Sequence, residues 1–124
     1  MSTNDNYVPS EYNTGIVRCD DFEERFAFSI DGSNFVLDGT TAKIQIRYAT
    51  NSMLSGNLSG SILGTYTNNN GITLSGNVLL WTISGDETAT FTPNVYNYDV
   101  KIERGGKVRT YISGTFTVIA DITI

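Results

Sequence analysis

The sequence predicts an all-β domain, and three observations carry that reading. Of 124 residues, 51 are Gly, Ser, Thr or Asn, which favour turns and strands, while strong helix formers are few, with five Ala and seven Leu. Seven Tyr and six Phe join many Ile, Val and Thr, residues that suit a pleated, half-buried surface. Apolar residues recur at alternate positions in short runs separated by turn signals, the pattern of a sandwich or barrel. The length fits one domain with one modest core.

Residues 1–13 carry Asp5 and Glu11 but no Lys or Arg. They read as an extended polar arm outside the core, held by its own domain or by a neighbouring subunit. Residues 14–124 read as a single β domain. A short strand covers Ile16 to Arg18. The run "FEERFAFSI" places Phe22, Phe26, Phe28 and Ile30 on one parity, and turns follow at Asp31-Gly32 and Leu37-Asp38-Gly39. In "TAKIQIRY", Ala42, Ile44 and Ile46 face inward, and Lys43, Gln45 and Arg47 face outward. Ala49 to Gly60 reads as a polar loop. "SILGTY" is a weak strand, "TNNNG" a hairpin turn, "ITL" a strand and "SGN" a turn. In "VLLWTI", Leu79, Trp81 and Ile83 form one face and Val78 and Leu80 the other, so this strand can be covered on both sides. "SGDETATF" has room for a single helical turn. A Leu or Ile followed by Ser-Gly occurs five times at irregular spacing, which marks strand ends entering turns and not a repeat.

The stretch "YNYDVKIERGGKVRTYISG" is the most regular passage. Tyr98, Val100 and Ile102 share one face, and Val108, Ile112, Phe116 and Val118 supply the core side of the next strand. A bare Gly105-Gly106 loop would set Ile102 against Arg109 and Val100 against Tyr111, core face against solvent face. A shift of one residue sets Val100 opposite Ile112, Ile102 opposite Thr110 and Glu103 opposite Arg109. Because a buried face fixes register, the sequence predicts a three-residue loop, Gly105 to Lys107, or a bulge beside a two-residue loop. Tyr111 then falls on the outer face as an exposed aromatic.

The chemistry on offer is sparse. There is no His, which removes the commonest general base and most zinc sites. Cys19 stands alone, so no intrachain disulfide is expected, a reducing compartment is the simple reading, and its Asp20 and Asp21 neighbours oppose thiolate formation. "CDDFEER" gathers four carboxylates without the spacing of a glycosidase pair or a calcium loop, and "DGSNFVLDG" lacks the alternating oxygen ligands of such a loop. These acids read as turn and edge residues. Asn57-Leu58-Ser59 is a formal glycosylation acceptor, of little meaning without a secretory signal. Trp81 could stack on a sugar ring, but its parity with Leu79 and Ile83 favours the core. A net charge of −5 and a pI near 4.4 argue against non-specific nucleic-acid binding and against anionic membranes. No apolar run approaches the ~20 residues that span a bilayer, and the first residues lack a basic start and an apolar h-region.

The order of signals resembles a family of small bacteriophage virion domains, similar to the N-terminal domain of phage baseplate upper proteins and related short tail-associated proteins. The residues that carry it are Arg18-Cys19-Asp20, Phe22 to Phe28, Asp31-Gly32, Leu37-Asp38-Gly39, Ala42 to Arg47, Tyr98-Asp99-Val100-Lys101-Ile102, Gly106, Val108, Gly114 and Asp121-Ile122-Thr123. The family usually has Gly where Cys19 stands, and its middle is less rich in Ser, Gly and Asn. The resemblance implies an immunoglobulin-like antiparallel β-sandwich, which the strand signals put at about seven to nine short strands. It also implies docking to other virion proteins, with no enzymatic activity.

The expectation is thus a non-enzymatic virion structural protein, an adaptor docking tail, baseplate or tail-fibre components in multiple copies. It needs no cofactor, nucleic acid or membrane, and is assembled in the host cytoplasm. A capsid decoration protein and a carbohydrate-binding module are the alternatives; a carboxylate glycosidase is a distant fourth. The expected interface comprises Tyr7, Val8, Pro9 and Tyr12 on the arm, Val78 and Leu80 on their strand face, and Lys101, Lys107 and Tyr111 on the hairpin.

Overall fold

The computed structural model describes residues 9–30, 33–49 and 60–122. The turn expected at Asp31-Gly32, most of the polar middle loop, and Tyr7 and Val8 lie outside these residues. The chain is all-β apart from one helical turn. Its elements are β1 (Ser10–Glu11), β2 (Thr14–Val17), β3 (Phe22–Ala27), β4 (Ser29–Ile30), β5 (Ser33–Asn34), β6 (Thr41–Tyr48), β7 (Ile62–Asn68), β8 (Gly71–Ser75), β9 (Val78–Ile83), α1 (Gly85–Thr88), β10 (Asn94–Arg104) and β11 (Lys107–Ile119).

Nine strands form one continuous path, β1-β11-β10-β6-β7-β8-β9-β3, with β2 beside β11; β4 and β5 make a separate small ladder. The path folds over at the corner between β7 and β8, where Asn69 and Gly71 both take positive φ. Consequently β8, β9 and β3 lie across from β6, β10 and β11. Trp81 on β9 has no ladder with β10 or β11, yet its ring stands 5.4 Å from Tyr98 and 5.7 Å from Phe116. Such contacts arise only face to face. Phe22, Ile44, Ile46, Leu79, Trp81, Tyr96, Val100 and Phe116 fill the space between the two layers. The inward parities read from β3, β6 and β9 all reach this core.

Three ladders depart from the expected antiparallel pattern: β1 and β2 run parallel to β11, and the short β7–β8 contact is parallel. Two strands are not short, since β10 has 11 residues and β11 has 13. The Tyr96 hydroxyl donates to the Thr92 carbonyl four residues upstream. That contact pins the loop before β10, as the tyrosine corner does in Greek-key sandwiches.

The boundary drawn at residue 13 needs correction. Ser10 and Glu11 pair with β11 as an edge strand of the sheet, and Tyr12 and Asn13 hydrogen-bond to β11 just beyond it. The Tyr12 amide donates to the Ser113 carbonyl at 2.9 Å, the Thr115 amide donates to Asn13 Oδ1 at 3.0 Å, and the buried Tyr98 hydroxyl donates to the Tyr12 carbonyl at 2.6 Å. This docking requires two glycines. A Cβ on Gly114 would collide with the Tyr12 carbonyl oxygen, and one on Gly15 with that of Thr117.

The hairpin resolves by the second expected route, a two-residue Gly105-Gly106 turn with a bulge. Arg104 faces Lys107, Ile102 faces Arg109 and Lys101 faces Thr110; past the bulge, Val100 faces Ile112. Glu103 therefore stands opposite Val108, not Arg109, and the expected Ile102–Thr110 pairing does not form. Val108, read as a core residue, is 61% exposed. The physical reason is local: the primed two-residue turn that Gly-Gly favours fixes the register at the tip, and the core fixes it further along.

Candidate functional site

Each layer ends in an edge strand, and the two edges approach each other on one side of the molecule. Among the described residues, β1 on one edge pairs only with β11, and β3 on the other pairs only with β9. Side chains bridge them at one point. Glu24 of β3 accepts from the Tyr12 hydroxyl at 3.2 Å and from the Thr14 hydroxyl at 2.9 Å, while the Tyr12 ring stands edge-on to Phe26 at 5.7 Å. The nearby carboxylate raises the Tyr12 pKa above its usual value, first by holding the phenolic proton and then by its charge.

From this bridge the edges diverge and leave a cleft of about 600 Å³. Phe26, Phe28, Phe35, Tyr111 and Ile112 line it, with Arg25 and Arg109 among its polar groups. Bulging brings Tyr111 here. With one extra residue in β11, Tyr111 and Ile112 both reach the core side, and Tyr111 packs 5.9 Å from Phe28 and 5.6 Å from Phe35. Tyr111 is accordingly half-buried, not the exposed outer aromatic read from alternation. The Arg104 guanidinium lies 4.2 Å over the Phe35 ring and donates to the Val36 carbonyl at 2.7 Å, clamping the hairpin tip over the floor.

A second recess, about 570 Å³, is a polar trough on the outer face of β6, β10 and β11. Pro9, Glu11, Gln45, Arg47, Asn97 and Asp99 line it, over a floor of small residues at Ser113 and Gly114. Arg47 donates to Gln45 Oε1 at 3.0 Å and to the Gly60 carbonyl at 2.8 Å, so its fork is held in place.

The expected interface residues do not form one surface. Tyr12 and Tyr111 share the aromatic cleft, and Pro9 belongs to the trough. Val78 and Leu80 are half-buried on the outer side of β9. Lys101 is half-buried on the outer side of β10, its Nζ 2.7 Å from the Thr110 hydroxyl. Lys107 is exposed at the hairpin tip. Sequence reasoning missed Phe28, Phe35, Arg25 and Arg109 as cleft residues. Phe28 was absorbed by the core parity of β3, and Phe35 sits between two turn signals with no periodicity to mark it.

The acidic cluster separates into structural contacts. Asp21 Oδ1 accepts from the Gly85 amide at 2.7 Å at the start of α1, Glu23 pairs with Arg25 at 2.6 Å, and Glu24 holds Tyr12 and Thr14. Among the described residues, no three His, Cys, Asp or Glu side chains come together to hold a metal ion. Cys19 lies in the turn after β2, with φ of 78°, closed by the Asp20 amide donating to the Val17 carbonyl at 3.0 Å. Trp81 is wholly buried, so its ring cannot stack on a sugar; its Nε1 has no hydrogen-bond partner among the described residues.

No family model matches the sequence, and no curated protein matches it. Among solved structures, the chain is similar to an uncharacterized protein from Bacillus anthracis, with 12% identity over 91% of this chain and 85% of that one, at a TM-score of 0.46.

Proposed function

We propose that the chain is a non-enzymatic bacteriophage virion structural protein, an adaptor that docks tail, baseplate or tail-fibre components through its edges and sheet faces. One observation carries this reading. The cleft between β1 and β3 is floored by aromatic rings and walled by two strand edges, and the neighbouring acids are engaged in capping and bridging contacts. Such a recess suits a polypeptide segment better than a reaction centre. The Cys19 turn adds support to the resemblance. The position where that family carries Gly takes a left-handed backbone here, which is where Gly is at home.

Imaging of intact particles with an antibody against this chain tests the proposal. Label on the tail or baseplate is the expected result. Label spread over the head supports capsid decoration instead, and unlabelled particles overturn both. The carbohydrate reading loses Trp81 and now rests on the polar trough, whose Gln45, Arg47, Asn97 and Asp99 could hydrogen-bond hydroxyl groups. Glycan-array binding abolished by Asn97→Ala would favour it.

A further inference from the structure

We infer that the aromatic cleft is a docking groove for an extended segment of another polypeptide, one that places a large apolar or aromatic side chain beside a carboxylate. The inference rests on reading the chain as a docking module and names the chemistry of what docks.

The argument starts from the walls. An edge strand presents alternate unpaired N–H and C=O groups, and these are a template for a further strand. Here two such edges, β1 and β3, line one recess. Pairing with either gives an extended segment its main-chain hydrogen bonds, while alternate side chains point down to the floor. Phe26, Phe28, Phe35 and Tyr111 form that floor, so the inward side chain must be apolar. At about 600 Å³ the recess takes a short segment and not a folded domain.

Charge selects the rest of the ligand. The chain carries −5 overall, with only eight basic residues, yet two of them, Arg25 and Arg109, lie on this cleft. Among the described residues that line it, Glu11 is the one acid. Arg25 pairs with Glu23, but both side chains are more than half exposed, so solvent screening weakens the pair. It yields readily to a carboxylate arriving with a bound segment, where the fork geometry of arginine favours bidentate contact.

The test uses the full chain and a randomised display library of eight-residue peptides. Enriched sequences should pair Phe, Tyr, Trp or Leu with Asp or Glu. A synthetic peptide of that type, followed by fluorescence anisotropy, should bind about tenfold or more weakly to Ala27→Trp, which sets a bulky ring at an exposed, cleft-lining position of the β3 edge and obstructs pairing there. Arg25→Glu, at an exposed side chain that does not hold the fold, should weaken binding about threefold or more and flatten its salt dependence. Gln45→Ala, in the trough, should leave binding unchanged. Equal binding to Ala27→Trp, or no enrichment at all, overturns the inference. So does binding that emerges only after residues 1–8 are removed, since the occupant is then the chain's own segment. Self-association in sedimentation that Ala27→Trp abolishes, without peptide binding, makes the occupant a second copy and overturns it too. Peptide binding by a chain missing from particles sinks the virion reading alone, whereas a chain present in particles that binds no peptide sinks this inference alone.

Discussion

Val100 and Ile112 stand opposite each other in the β10–β11 ladder, yet the next residue, Lys101, faces Thr110. Tyr111 is the extra residue between, and it turns inward beside Ile112. Truncation by Tyr111→Ala should therefore remove packing against Phe28 and Phe35 and cost about 2 kcal/mol in urea denaturation, without changing the m-value. Val108→Thr, at an exposed position two strand steps from the turn, should stay within about 0.5 kcal/mol of the parent. Equal effects at the two sites would show that Tyr111 lies outward.

Gly114→Ala should release the N-terminal strands. The added methyl would collide with the Tyr12 carbonyl, which is backbone and cannot swing aside. Hydrogen exchange should show the Tyr12 amide, bonded to Ser113, losing its protection first, with a total cost of about 2 kcal/mol or more. Gly39→Ala, also at a glycine but with nothing within 4 Å of the added Cβ, should leave the Tyr12 amide protected. Retained protection in Gly114→Ala would mean that Ser10 to Asn13 do not dock on β11.

Cys19 occupies a left-handed turn position at φ 78°, and the turn has the hydrogen bond expected when its third residue takes positive φ. Relief of the Cβ clash, worth about 1–2 kcal/mol, outweighs the added freedom of glycine in the unfolded chain, worth about 0.5–1 kcal/mol. Cys19→Gly should raise stability by about 0.5 kcal/mol, and Cys19→Val should lower it by about 1 kcal/mol or more, because a β-branched side chain resists positive φ. Thermal unfolding of the pair under reducing conditions checks the order; Val above Gly would contradict the turn.

Alkaline pH should unfold the protein. Burial, aided by Tyr48, pushes the Tyr96 phenol up to about 12. Burial and then the Glu87 carboxylate push Tyr66 up, and burial with the charges of Glu24 and Tyr12 does the same for Tyr98. In the unfolded chain these phenols ionise near ~10. The folded state keeps the protons longer, so the stabilisation is fully present below pH ~10 and is lost as pH rises through about 12. Phenolate absorbance from these three tyrosines should grow only as near-ultraviolet circular dichroism disappears. Reversible ionisation of all seven tyrosines in a folded chain would refute the burial of Tyr66, Tyr96 and Tyr98.

Much of the fold was legible because burial has a period. Ala42, Ile44 and Ile46, then Leu79, Trp81 and Ile83, then Tyr98, Val100 and Ile102 alternate along their strands, and all of them are buried. Chain reversals were readable at Asn69, Gly71 and Gly76, since positive φ restricts what can stand there, although the turn expected to close a hairpin at Thr67 to Gly71 instead makes a corner into a parallel β7–β8 contact. The capped turn at Ser84 followed from its local chemistry, the Ser84 hydroxyl accepting from the Glu87 amide. The candidate site was far less legible. Its rings come from β3, the segment after β5 and the β11 bulge, and no periodicity links Phe28, Phe35 and Tyr111.

By itself, then, the sequence determined the all-β class, the inward parity of β6, β9 and β10 and the need for an irregularity in the last hairpin. Those properties depend on neighbours along the chain and on one buried face. Only the tertiary structure decided that Ser10–Glu11 and Thr14–Val17 join β11 in parallel, and that the β1 and β3 edges meet through Glu24 and then part over an aromatic floor. These features depend on contacts between segments distant in sequence. A Gly such as Gly114, or an acid such as Glu24, carries no mark of which backbone or hydroxyl it will meet.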